Sequence, residues 1–295
     1  MFMGAYLDRI ASMGRTQRAE PVTFILAALV ITGAVAVAGC TTVTPATRAA
    51  VPPEMVPQAS AETQGYLPAA GLPDSIALLP APPENGTPGA GGDLAASRAG
   101  LAERGTPRWQ RAASDADLSF PHAPEAFTCA VGVPITVAVA PHLVALMRRT
   151  LIDAAASTAA AKNRYQRARP FMVNGEPLCT PDEEARLRTS GSYPSGHAAV
   201  GWTWALILTE LAPDRADAIL QRGRAFGESR VICNVHWQSD VAEGQLVGAA
   251  VVARLHGDAA FRTDLAASRT ELLHARRDAT SPTPGCGVEA AFAKQ

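Results

Sequence analysis

Residues 236–256 form a run that is apolar almost all the way round, with Gly244 and Gly248 on one side of it. Residues four apart share a helix face, so the two glycines line up. A helix without a polar side has to be enclosed, and a glycine face lets a neighbour approach closely. The segment is therefore predicted to be a central helix packed closely by its neighbours. Residues 195–211 place Val200, Trp204, Ile207, Leu208 and Leu211 on a second apolar stripe. A long helix is expected over 141–167, opened by Pro141, with Leu143, Met147, Leu151 and Ala155 on one face and Pro170 as its stop. Shorter helices are expected over 93–104, 107–117 and 123–131, and longer ones over 213–230 and 259–277. Thr180-Pro181-Asp182-Glu183 has the form of a capping box after a loop at 171–179. Alternating strand patterns and internal repeats are missing. Aromatic residues make up only 5% and alanine is abundant, which suits close helix packing better than sheets. The expected class is all-α, one helical-bundle domain over 71–280.

The ends read differently. Arg9, Arg15 and Arg18 precede an apolar run at 21–38, then Gly39-Cys40. That order reads as an export signal over 1–39, with a retained membrane anchor as the alternative. Val37-Ala38-Gly39-Cys40 resembles a lipoprotein cleavage box, which makes Cys40 a candidate lipid anchor. No later run is both long and uncharged enough to span a bilayer. Residues 40–70, rich in Pro and Ala, read as a disordered linker. Beyond it, 72–79 is expected to lie on the domain as an extended arm, and 86–92 to be a flexible glycine break. Residues 281–295 form a C-terminal tail. With Cys40 set aside, Cys129, Cys179, Cys233 and Cys286 remain, an even number for an oxidising compartment. Three pairings are open. Cys179–Cys233 is favoured because both lie close to the clusters described next, with Cys129–Cys286 tethering the tail. No CxxC or CxxH spacing marks a metal site. A net charge of −1 argues against a nucleic-acid polymer as partner.

Three clusters between residues 162 and 240 carry chemistry. Lys162 and Arg169-Pro170 come first, Pro194-Ser195-Gly196-His197 second, and Ser229-Arg230 with His236 and Asp240 third. A loop entering a helix at Ser195-Gly196 offers free amides and the positive end of the helix dipole, a ready anion site. His236 and Asp240 are four apart. On one helix face the carboxylate would hold one ring nitrogen and leave the other as a nucleophile. Lys162, Arg169 and Arg230 supply cations suited to phosphate oxygens. Singly, each cluster reads as a helix cap, a structural His–Asp bond or solvated charge, as Arg164, Arg167, Arg186 and Arg188 nearby are read. Together they are an inventory for phosphoryl transfer. His122, His142, His256 and His274 match none of this and read as structural or exposed, while Glu125 and Asp153 are candidates for a pocket rim.

The ordered pattern Lys-(six residues)-Arg-Pro, Pro-Ser-Gly-His, then Ser-Arg-(five residues)-His-(three residues)-Asp resembles the signature shared by the phosphatidic-acid phosphatase type 2 and vanadium haloperoxidase superfamily. The stretches at 191–197 and 229–241 are most similar to the class A bacterial non-specific acid phosphatases, with likeness over about 72–274. The resemblance implies a secreted enzyme, in the periplasm or cell envelope, acting on small phosphomonoesters and releasing inorganic phosphate. It implies His236 as nucleophile forming a phosphohistidine, Asp240 orienting it, and His197 as general acid and then base. Lys162, Arg169, Ser195, Gly196 and Arg230 would bind the phosphate. No metal or cofactor is implied, and a homodimer is. Alternative chemistries for the same anion cage are a lipid phosphatase or pyrophosphatase, and a vanadium haloperoxidase.

Overall fold

The computed structural model describes residues 64–278 together with Cys286. The export signal, Cys40, most of the linker and most of the tail lie outside the described residues.

The central element is the helix at Gly196–Leu211, here α9 in a chain-ordered series. Before it come α1 (Ser75–Leu78), α2 (Pro88–Ala102), α3 (Pro107–Ser114), α4 (Thr128–Val131), α5 (Pro141–Ser157), α6 (Ala159–Tyr165), α7 (Pro170–Asn174) and α8 (Glu184–Arg188). After it come α10 (Ala216–Ile232), α11 (Gln238–Leu255) and α12 (Ala259–Asp278). Among the described residues there is no strand, and the class is all-α. Helix α9 packs along its length against α10 and α11 and meets α5 on another side, while α12 lies against α5.

Helix α11 packs against α9, α10, α2 and α5, but it is not enclosed all the way round as expected. Helix α11 leaves Ala242, Leu246 and Arg254 exposed, whereas α9 is buried over most of its surface. The glycines of α11 act as predicted but serve its neighbour. A Cβ on Gly244 would overlap the carbonyl oxygen of Ser195, and one on Gly248 would stand 2.5 Å from that of Ala199. Trp204 is the largest fully buried side chain of α9. Its ring meets Phe120 and Phe127 edge-on, and its indole N–H donates to the Met147 carbonyl at 3.0 Å, which holds α5 in place.

Several boundaries moved for local reasons. The 141–167 helix is interrupted at Thr158, where the Ser157 and Thr158 hydroxyls donate to carbonyls of the preceding turn. The glycine stretch at 86–92 is a break only at Gly86. Thr87 accepts from the Ala90 amide with Pro88 in the first position, so α2 begins there. Pro170 opens α7 inside the expected loop. Thr180 does not cap the following helix, and its hydroxyl donates to the Glu183 carboxylate instead. The expected arm at 72–79 contains α1, whose buried Ser75 accepts from the Ala161 amide at 3.1 Å.

Packing also begins before residue 71. Tyr66 is buried edge-on against Phe261, and Asp153, expected at a pocket rim, accepts from the amides of Tyr66 and Leu67 instead. Both expected disulfides are formed, Cys179–Cys233 with Cα atoms 4.7 Å apart and Cys129–Cys286 at 5.2 Å.

Candidate active site

Two helix N-termini meet here. Ser195 caps α9, its Oγ accepting from the Ala198 amide at 3.2 Å, and its own amide donates to the Asp240 carbonyl at 2.8 Å. The start of α9 is thereby fastened to the first turn of α11. The amides of Gly196 and His197 fall at the open end of α9, where no carbonyl of the helix can receive them.

His236 lies just before α11, so the expected shared helix face with Asp240 is not what joins them. Asp240 sits in the third helical position, and its Oδ2 accepts from the Trp237 amide at 2.8 Å in the manner of a capping carboxylate. The same oxygen lies 3.3 Å from Nδ1 of His236. The other ring nitrogen, Nε2, lies 3.1 Å from the Arg169 guanidinium. Arginine only donates, and an ionised carboxylate only accepts. His236 therefore carries its proton on Nδ1 and presents a lone pair at Nε2.

Arg169 is nearly fully buried. It is held by the carbonyls of Leu187, Ser190 and Val235 at 3.0, 3.1 and 2.9 Å and more loosely by that of Gly191. Lys162 donates to the Gly191 carbonyl at 3.0 Å, and its Cε comes within 3.9 Å of where a Cβ on Gly196 would stand. Arg230 is 1% exposed, and among the described residues its buried Nε has no hydrogen-bond partner. His197 donates from Nε2 to the Ala116 carbonyl at 2.9 Å, since a carbonyl can only accept.

Packing these cations together shifts their titration. Burial and then the charge of Arg169 bring Lys162 from 10.5 down to about 7. Burial lowers Arg169 and Arg230 to about 10 each. His236 is held well below its ordinary value by burial and then by Arg169, Lys162 and Arg230. His197 is lowered likewise, by burial and then Arg230. Arg230 and each imidazole thus act on one another electrostatically. Burial raises Asp240, and Arg167 opposes that rise.

The eight residues expected to react with or bind phosphate (Lys162, Arg169, Ser195, Gly196, His197, Arg230, His236 and Asp240) are thus gathered at this one site. The sequence reading left Arg167 among the solvated charges, but it forms ion pairs with both Asp240 and Asp93. It also missed Asp115, buried between Ser229 and Arg222, on the segment whose Ala116 carbonyl holds His197. No local pattern marks either residue.

A match to the PAP2 superfamily covers residues 138–263. An acid phosphatase of Zymomonas mobilis is 41% identical over 209 residues, covering 71% of this chain and 79% of the relative. Non-specific acid phosphatases of Providencia stuartii and Salmonella typhimurium are 43% and 44% identical, covering 67% and 66% of this chain and 80% and 78% of theirs. Similarity of that extent, together with the three clusters assembled into one cationic site, makes the chain an enzyme of the class A non-specific acid phosphatases within the PAP2 superfamily.

Proposed function

We propose that the enzyme hydrolyses small phosphomonoesters at acidic pH through a phosphohistidine on Nε2 of His236. The observation that carries this reading is the pair of partners that flank His236, Asp240 at Nδ1 and Arg169 at Nε2, which selects its tautomer. Its Nδ1–H faces Asp240, and its Nε2 lone pair faces the cationic side.

In the first step Nε2 attacks phosphorus, and the bond from phosphorus to the ester oxygen breaks. The leaving oxygen takes a proton from His197. Because Nε2–H of His197 is engaged with Ala116, the transferred proton is the one on Nδ1. In the second step that nitrogen takes a proton from water, whose oxygen attacks phosphorus. The N–P bond breaks, and inorganic phosphate leaves with His236 restored.

Arg169 turns from Nε2 to a phosphoryl oxygen as substrate enters, and the unpartnered Nε of Arg230 takes another. Lys162, the Ser195 hydroxyl and the amides of Gly196 and His197 complete the anion cage. Asp240 stabilises the positive imidazole of the intermediate. No metal takes part in this scheme.

The leader, Cys40 and two disulfides support a place in the periplasm or cell envelope, with Cys40 as lipid anchor. Among the described residues no helix is long and apolar enough to cross a membrane.

The test uses 4-nitrophenyl phosphate at acidic pH with EDTA present. Phosphate release should continue in EDTA, alkaline quenching should trap a base-stable phosphoenzyme, and vanadate should inhibit. His236→Ala should abolish turnover and trapping together. Undiminished turnover in that variant overturns the mechanism.

A further inference from the structure

Behind the reacting histidine runs a chain of ionic contacts that the proposed mechanism does not use. Asp240 is fully buried and divides its carboxylate. Oδ2 serves Trp237 and His236, Oδ1 accepts from Arg167 at 2.7 Å, and the Ser192 side chain, which is neutral, also donates to the carboxylate. The second arm of the Arg167 guanidinium donates to Asp93 of α2 at 2.8 Å. Asp93 is itself buried and accepts from the Ser239 amide at 2.8 Å and its hydroxyl at 2.7 Å. One carboxylate from α2 thus caps the second residue of α11 while anchoring the cation that pairs with the third. The Arg167 guanidinium lies 5.4 Å from the Trp237 ring centre, and the indole N–H donates to the Ala168 carbonyl at 2.8 Å. The guanidinium is fixed from several directions.

Resting on the reading of His236 as nucleophile, we infer that Arg167, anchored by Asp93, is a positioning residue that keeps the Asp240 carboxylate ionised and oriented behind Nδ1 of His236. An isolated buried carboxylate tends to take up a proton, whereas one paired with a guanidinium keeps its charge. A protonated Asp240 would no longer fix the Nδ1–H tautomer, nor offset the positive imidazole once Nε2 carries phosphorus. The other charged groups acting on His236 are Lys162 of α6, Arg169 at the start of α7 and Arg230 of α10, and His236 in turn acts electrostatically on His197 of α9. Lys162 and Arg169 also act on Asp240. All of these are committed to substrate oxygens or to the leaving group, which leaves Arg167 as the dedicated counter-ion.

The experiment compares Arg167→Gln, Arg167→Lys and Asp93→Asn in the full chain, with 4-nitrophenyl phosphate across a pH series. In Arg167→Gln, kcat should fall about tenfold or more, the scale seen when a partner behind a functional histidine is lost. KM should hold within about twofold, because the substrate cage is intact. The acid limb of kcat/KM should move to higher pH, since Asp240 loses the charge that keeps it ionised. Arg167→Lys should restore much of that limb.

A native-like Arg167→Gln with unchanged kcat and limb overturns the inference. So does an equal fall in both Arg167 variants with no movement of the limb, which is the mark of a merely structural contact. If Arg167→Gln fails to fold, Asp93→Asn decides: a limb displaced upward supports the inference, and an unmoved limb overturns it. His236→Ala run in parallel separates the two levels. Residual turnover there removes the nucleophile, whereas a dead His236→Ala beside indifferent Arg167 and Asp93 variants removes only the positioning role.

Discussion

The Ser195 amide donates to the Asp240 carbonyl across 2.8 Å, so α9, which carries His197, and α11, which begins just after His236, share a hydrogen bond where they start. Neither helix end can shift without moving the other, and the proposed anion cage lies at that junction.

Gly244 faces this junction directly. Gly244→Ala places a methyl group on the Ser195 carbonyl, pushing α9 and α11 apart where His197 and Asp240 emerge. A loss of stability of about 1–3 kcal/mol is expected, as for other overpacked contacts, with a fall in kcat as well. Gly248→Ala strikes Ala199 one turn further from the site. It should lower the unfolding midpoint with a smaller effect on kcat. Urea unfolding alongside steady-state kinetics distinguishes the two.

Lys162 opposes stability in the service of binding. Its folded value near 7 lies below the 10.5 of an unfolded lysine, so the unfolded chain binds more protons between those limits. Lys162→Met should therefore raise the midpoint of thermal unfolding. The gain should be full at or below about pH 7 and shrink as pH rises toward 10.5. Turnover should be largely lost. Calorimetry at two pH values, with kinetics, checks both halves.

In the proposed mechanism the two imidazoles set opposite demands. His236 must attack unprotonated, and its lowered value keeps it so on the acid side of 6.5. His197 must enter protonated, and its lowered value makes activity decline as pH rises. For stability the sign reverses. Both folded values lie below the unfolded 6.5, so the unfolded state binds more protons and the free enzyme loses stability as pH falls through that value. Inorganic phosphate should recover part of the loss by binding the folded state. Thermal melts with and without phosphate at acidic pH test this.

The disulfides should separate by effect. Cys233 stands between Arg230 and His236, and its carbonyl accepts from the Cys179 amide at 3.3 Å. Cys179→Ala with Cys233→Ala should lower kcat as well as stability. Cys129 and Cys286 are 157 residues apart in sequence and contribute no group to the anion cage. Replacing both should lower stability by about 2–5 kcal/mol with kcat retained. Denaturant midpoints and kinetics for the two pairs provide the comparison.

The sequence by itself determined what near neighbours dictate. Apolar periodicity marked α9 and α5, the loop entering a helix at Ser195 marked its cap, and the clusters that hold Lys162, Arg169, Arg230, His197 and His236 supplied an inventory for phosphoryl transfer. Even there, local detail escaped it. The His236–Asp240 contact arises from a carboxylate capping α11, because the helix begins only after His236.

Tertiary structure alone decided the rest. Arg164, Arg167, Arg186 and Arg188 look alike in the chain, yet only Arg167 lies between two buried carboxylates, 73 and 74 residues away. The choice of α9 over α11 as the centre likewise depended on which faces the neighbouring helices cover. Period and capping are written within one helical turn. Charge partners and burial depend on which distant segments pack together, and no stretch of neighbouring residues encodes that.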